Sequence, residues 1–170
     1  ANLALAGIGF LFISYRIETR RQKWLRDGEA ELAKVLGGER TLEELGSATL
    51  GFLTDWLGAS VGAIYLRDGE QFRRSSTYGV PDSAPVPEVL GANDGLLAQA
   101  VRDHRSFLIR DVPEGYLSFG SSLGQARPRA LVIATGRVDD VTNSVIELGF
   151  LDVDDARTAD APEFLERIGS

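Results

Sequence analysis

The sequence contains no cysteine, no methionine and a single histidine in 170 residues. Without cysteine there is no disulfide, no thiolate metal site, no thioether-linked cofactor and no cysteine nucleophile. One histidine cannot build a multi-histidine metal centre within a chain. It also leaves one candidate base for a serine triad. Basic residues are in the minority: 18 Lys+Arg against 25 Asp+Glu give a net charge of -7. That balance provides no whole-chain electrostatic footprint for nucleic acid. What remains is binding or signal relay, or chemistry carried by carboxylates, hydroxyls, lysine and arginine. The composition, 44% hydrophobic and 25% charged, is that of a globular chain. Its length suits one domain with an appendage.

Residues 1–14 (ANLALAGIGFLFIS) carry no charge. As a helix they span about 21 Å, short of a hydrocarbon core of roughly 30 Å. Arg16, Arg20, Arg21, Lys23 and Arg26 follow, opposed by Glu18 and Asp27. A basic cluster directly after an apolar run resembles the cytoplasmic flank of a membrane helix. The expectation is therefore that residues 1–14 are the C-terminal part of a transmembrane helix in an internal fragment. The alternative is a buried N-terminal helix of a soluble protein. Residues 15–38 read as a juxtamembrane signalling helix, interrupted by Gly28 and ended by Gly37-Gly38. Ile17 and Trp24 are seven apart, and Leu25, Leu32 and Val35 fit a short heptad seam.

Thr41-Leu-Glu-Glu44 has the form of a capping box, and Leu42, Leu45, Phe52, Leu53 and Trp56 follow at helical spacing up to Gly58. Two extended runs, 61–66 and 71–78, flank Asp68-Gly69, a strong hairpin signal. Alternation places Phe72, Arg74, Ser76 and Tyr78 on one face. The proline-rich stretch 80–92 reads as a loop, and 112–125 as irregular. Between them come a helix with Leu96, Leu97, Ala100, Val101 and His104 inward, and a strand at 107–110. Strands at 130–135 and 142–151 meet at Asp139-Asp140, and a last helical pattern begins at Ala161. This order predicts an α+β fold on a mostly antiparallel sheet.

Several stretches in collinear order resemble the GAF domain that follows a transmembrane helix in bacterial membrane-bound sensor histidine kinases. They are 24–36 (WLRDGEAELAKVL), 38–53 (GERTLEELGSATLGFL), 57–65 (LGASVGAIY), 94–100 (DGLLAQA), 108–117 (LIRDVPEGYL), 122–129 (SLGQARPR), 145–150 (VIELGF) and 164–169 (FLERIG). The resemblance implies a six-stranded antiparallel sheet with helices packed on one face, a long N-terminal helix and a small-molecule pocket on the other face. It implies a GAF domain over 39–160 and the start of an output-linking helix at 161–170. The expected function is a sensory or relay domain of a two-component system, passing a membrane or small-ligand signal to a downstream kinase domain of the same chain. The fragment itself is expected to be non-enzymatic, homodimeric through its terminal helices and on the cytoplasmic face of the inner membrane. The alternative is a soluble ligand-binding GAF domain of a transcriptional regulator or a nucleotide-signalling enzyme.

The Asn-Lys…Phe…Asp-Glu set of cyclic-nucleotide GAF domains is absent, as is the cysteine of bilin-binding and sulfoxide-reductase GAF domains. No cofactor is expected: no covalent bilin, and no haem, because His104 reads as a helix-terminal residue meeting a carbonyl or the macrodipole. Glu114, Asp139 and Asp140 read as solvated turn residues rather than catalytic acids. Residues 120–124 (GSSLG) lack the lysine of a phosphate loop and read as a turn. By resemblance, Arg74, Arg110, Tyr116, Phe119, Ser121 and Ser122 lie in the stretches that wall a GAF pocket. Aromatics, hydroxyls and a cation would suit a small polar ligand; they would equally plug a pocket that takes none.

Overall fold

Gly28 does not interrupt the long N-terminal run: α1 (Asn2–Val35) is continuous. The computed structural model describes residues 2–81, 84–91, 95–114, 119–121, 124–153 and 156–170. Pairs one turn apart line α1, Lys23 with Asp27 at 2.6 Å and Lys34 with Glu31 at 2.6 Å. Such exposed pairs contribute only about 0.3–0.5 kcal/mol each. Among the described residues no helix is long and apolar enough to cross a membrane. The chain divides into two units, Ala1–Gly37 and Gly38–Ser170.

The second unit opens with α2 (Leu42–Leu57). Its first turn closes as the capping box requires: the Glu44 N–H donates to Thr41 Oγ1 at 3.2 Å, and the Thr41 N–H donates to Glu44 Oε2 at 2.8 Å. Gly58 ends the helix in the left-handed conformation, φ 76°. Then follow β1 (Val61–Asp68), β2 (Gln71–Tyr78), β3 (Val89–Leu90), α3 (Gly95–Asp103) and β4 (Phe107–Arg110). A small ribbon, β5 (Phe119–Ser121) with β6 (Gly124–Ala126), precedes β7 (Ala130–Val138), β8 (Val141–Phe150) and α4 (Ala156–Ile168). Six strands form one sheet in the order β3-β2-β1-β8-β7-β4, with every pair antiparallel.

The central strands are apolar on both faces. Val61–Tyr65, Ala130–Thr135 and Val145–Phe150 are buried at every position. One face receives α2 and α4, which pack on β1, β2 and β7. Gly62 permits the approach of α2. A Cβ there would lie 2.9 Å from Leu50 Cδ1 and 2.8 Å from Leu148 Cδ2. The opposite face carries Ala63, Tyr65, Ile133 and Val145 beneath Leu97 and Ala100 of α3.

Four expectations about local structure need correction. First, Phe72, Arg74, Ser76 and Tyr78 do not share a face. Tyr65 pairs with Arg74 but its neighbour Ile64 pairs with Ser76, so Ser75 is a bulge and the alternation inverts there. Second, the 80–92 stretch supplies the edge strand β3, paired to Phe72 and Arg73. Third, 112–125 contains one strand of the β5–β6 ribbon and most of the other. Fourth, α4 starts at Ala156, five residues before the sequence pattern suggests, and continues through Pro162. Burial of Thr158, Ala161, Phe164 and Leu165 outweighs the missing proline donor.

Three substitutions test these elements. Gly62→Val should destabilise the domain by about 1–3 kcal/mol, read by urea denaturation, since Leu50 and Leu148 leave no space for the side chain. Thr41→Ala should cost about 1 kcal/mol. The Thr41 backbone N–H, then its hydroxyl, hold the Glu44 carboxyl below the ordinary glutamate range. A lowered folded-state pKa stabilises at neutral pH, and that stabilisation is lost as pH falls below about 4.3. Glu44→Gln should therefore flatten the stability profile in that acid window and leave the remaining pH dependence intact.

Candidate functional site

The sheet face beneath α3 is where apolar packing and polar groups meet. Strand alternation turns Tyr65 and Ala63 of β1, Val145 and Glu147 of β8 and Ile133 of β7 toward it. Glu147 is the unusual member. It is 6% exposed and stands between Ala63 and Ile133, its partners on the two neighbouring strands. Burying a carboxylate is costly, so a fold retains one where specific polar groups or a bound ligand answer it. Two places along β8 stands Gly149, where a Cβ would come within 2.9 Å of Pro128 Cγ. Its small size lets the 127–129 segment lie directly on the sheet.

Arg74 holds one border of this face. Its guanidinium donates to the Val86 carbonyl, and its backbone N–H to Glu88 O at 2.7 Å. Tyr65 Oη donates to Pro87 O at 3.2 Å. These bonds stitch the stretch before β3 onto the sheet, so Arg74 is a half-buried clamp. Arg110 lies at the other end of the strand order, exposed at the end of β4, and donates to Val153 O at 3.2 Å. Four strand spacings separate β2 from β4, about 19 Å. The fold does not bring these two arginines together.

Phe119 and Ser121 lie in β5, opposite Ala126 and Gly124. Tyr116 and Ser122 lie outside the described residues. Of the helical residues, Ile17, Trp24, Leu25, Leu32 and Val35 all lie on α1, with Ile17 61% exposed.

His104 follows α3 with φ 49°, the left-handed position at which glycine usually ends a helix. The Arg105 N–H closes the turn on Ala100 O at 3.3 Å, and His104 Nδ1 lies 2.9 Å from Thr142 Oγ1. The ring thus ties α3 to β8. Asp139 and Asp140, φ 50° and 63°, make the two-residue turn between β7 and β8, the geometry of a type I′ hairpin. Asp140 pairs with Arg137 at 2.8 Å and Glu114 with Arg127 at 3.5 Å. Among the described residues no group of three His, Asp or Glu side chains could hold a metal ion.

Sequence reasoning passed over Glu147, although a signal was present: it is the single charge in Val145-Ile-Glu-Leu-Gly-Phe150. In a half-buried antiparallel strand a polar residue is expected on the wet face. Here neither face is wet.

Comparison with known proteins bears on this architecture. No curated protein matches the sequence. Solved structures share the fold. The A. aeolicus nlh2 GAF domain in an inactive state superposes with a TM-score of 0.68 at 21% identity, over 88% of this chain and 93% of that one. The GAF domain of an Acinetobacter phosphoenolpyruvate-protein phosphotransferase gives 0.62 at 12% identity, over 89% of each chain. The reduced form of fRMsr of Staphylococcus aureus gives 0.62 at 15% identity, over 86% and 95%. The family model of the GAF domain matches residues 39–165. With three-quarters of its length covered by that match, the chain belongs to the GAF domain family.

Proposed function

We propose that this chain is a sensory or relay module of a two-component signalling protein. In this reading α1 receives a displacement at the cytoplasmic face of a membrane, and the GAF domain passes it to a kinase domain through α4. The observation that carries the reading is the apolar row on α1. Ile13 and Ile17, one turn apart, are each 61% exposed, and Trp24, half-buried, lies seven residues beyond Ile17. Apolar residues left exposed one turn apart suit cover by the same helix of a second copy. A relay needs an element with two discrete packings, and this reading gives that role to a symmetric helical dimer.

The GAF sheet face supports the sensing half of the proposal. A small ligand there would act only through unequal affinity for the two packings. The chain's lack of cysteine also removes the nucleophile for thiol-dependent reduction, which favours binding over catalysis.

The missing cysteines make cross-linking unambiguous. Ile17→Cys and Trp24→Cys should each form a disulfide between identical positions of two chains on mild oxidation, seen as a dimer band without reductant. Arg26→Cys, half a turn round from Ile17, should remain monomeric in the same gel. A monomer by light scattering at tens of micromolar, with no cross-link at 17 or 24, defeats the proposal.

A further inference from the structure

Three arginines line one concavity at the end of the sheet. Arg110 closes β4, while Arg127 and Arg129 flank Pro128 just before β7. With Asp111, Val112 and Val153 they line a cavity of about 390 Å³. Its floor is apolar: Val112 is 6% exposed, and Pro128 is buried beside Gly149. The chain as a whole is acidic, at -7, so this basic cluster runs against the global charge.

Among the described residues, ion pairing does not account for the cluster. The Arg129 guanidinium makes no hydrogen bond or ion pair with the described residues; its backbone N–H alone is engaged, with Phe150 O at 2.7 Å. Arg127 meets Glu114 at 3.5 Å, and that carboxylate is 92% exposed. Such an exposed pair is worth little. Arg110 donates to the Val153 carbonyl, which orients a guanidinium without neutralising it. Asp111 is the one carboxylate among the described lining residues. Placing three cations around one hollow raises its free energy through mutual repulsion. An oxyanion relieves that repulsion, and the planar guanidinium fork matches phosphate oxygens two at a time.

We propose that this cavity binds a small molecule through a phosphate or pyrophosphate group, with Arg110 and Arg129 as its principal contacts and Arg127 as a third. The apolar floor takes the non-ionic part of the ligand. The site stands whether or not α1 mediates a dimer.

Isothermal titration with pyrophosphate, at ionic strength held constant with sodium chloride, tests the proposal. Wild-type protein should bind it in the submillimolar range. Arg129→Gln and Arg110→Gln should each weaken binding by about tenfold or more. Arg73→Gln, which removes an exposed arginine on β2, should leave it unchanged. Arg129→Lys keeps the charge but not the fork and should give an intermediate loss. It serves if a glutamine variant melts abnormally without ligand. No heat at millimolar pyrophosphate, or equal loss in the Arg73 variant, would overturn the proposal.

Discussion

Three adjacent strands with no wet face impose the architecture. Every residue of Val61–Tyr65, Ala130–Thr135 and Val145–Phe150 is buried, so each side of the β1–β8–β7 ladder needs its own cover. On one side α2 and α4 provide it, and the approach of α2 depends on Gly62 having no side chain. On the other, α3 lies over Tyr65, Ile133 and Val145. Antiparallel sheets often leave one face to solvent; here the covered second face is what creates an interior for polar groups to occupy.

That second interior separates structure from function. Near α3 it is a packed apolar core bordered by the Arg74 and Tyr65 clamps. Toward the far end of β8 it contains Glu147 and then Gly149, on which Pro128 sits. The same Pro128 carries Arg127 and Arg129 outward to the sheet end. One close contact therefore positions both the cover of the sheet face and the basic hollow beside β4. Solved structures of differently named proteins share this GAF fold. Function must be argued from sites rather than from the fold.

Much of the local structure was legible in the residues. Thr41 and Glu44 announced their capping box, Gly58 its helix end, and Asp68-Gly69 its hairpin, because each depends on side-chain chemistry or backbone freedom within a few positions. The Ser75 bulge was not legible. It reconciles β2 with β1 on one side and α2 on the other, where Ser76 Oγ lies 3.0 Å from Ser47 Oγ. Nor was β3, two residues long in a proline-rich stretch and held by pairing to β2. Nor was the start of α4: the apolar spacing of Phe164, Leu165 and Ile168 marks a helix from Ala161, whereas burial of Thr158 and Ala161 extends it backwards.

For the site the division is sharper. The sequence by itself determined which chemistries have no reagents here: no thiol, no histidine cluster, no whole-chain basic footprint. It also determined the succession of elements other than β3, β5 and β6, since periodicity and turn chemistry are local. Only the tertiary structure decided which charged residues are neighbours. It set Arg74 and Arg110 about four strand spacings apart, buried Glu147 in the middle of the sheet, and drew Arg110 together with Arg127 and Arg129. Strand order governs such meetings. Pairing energies between strands far apart in the chain depend on the whole core, so no short window of sequence encodes them.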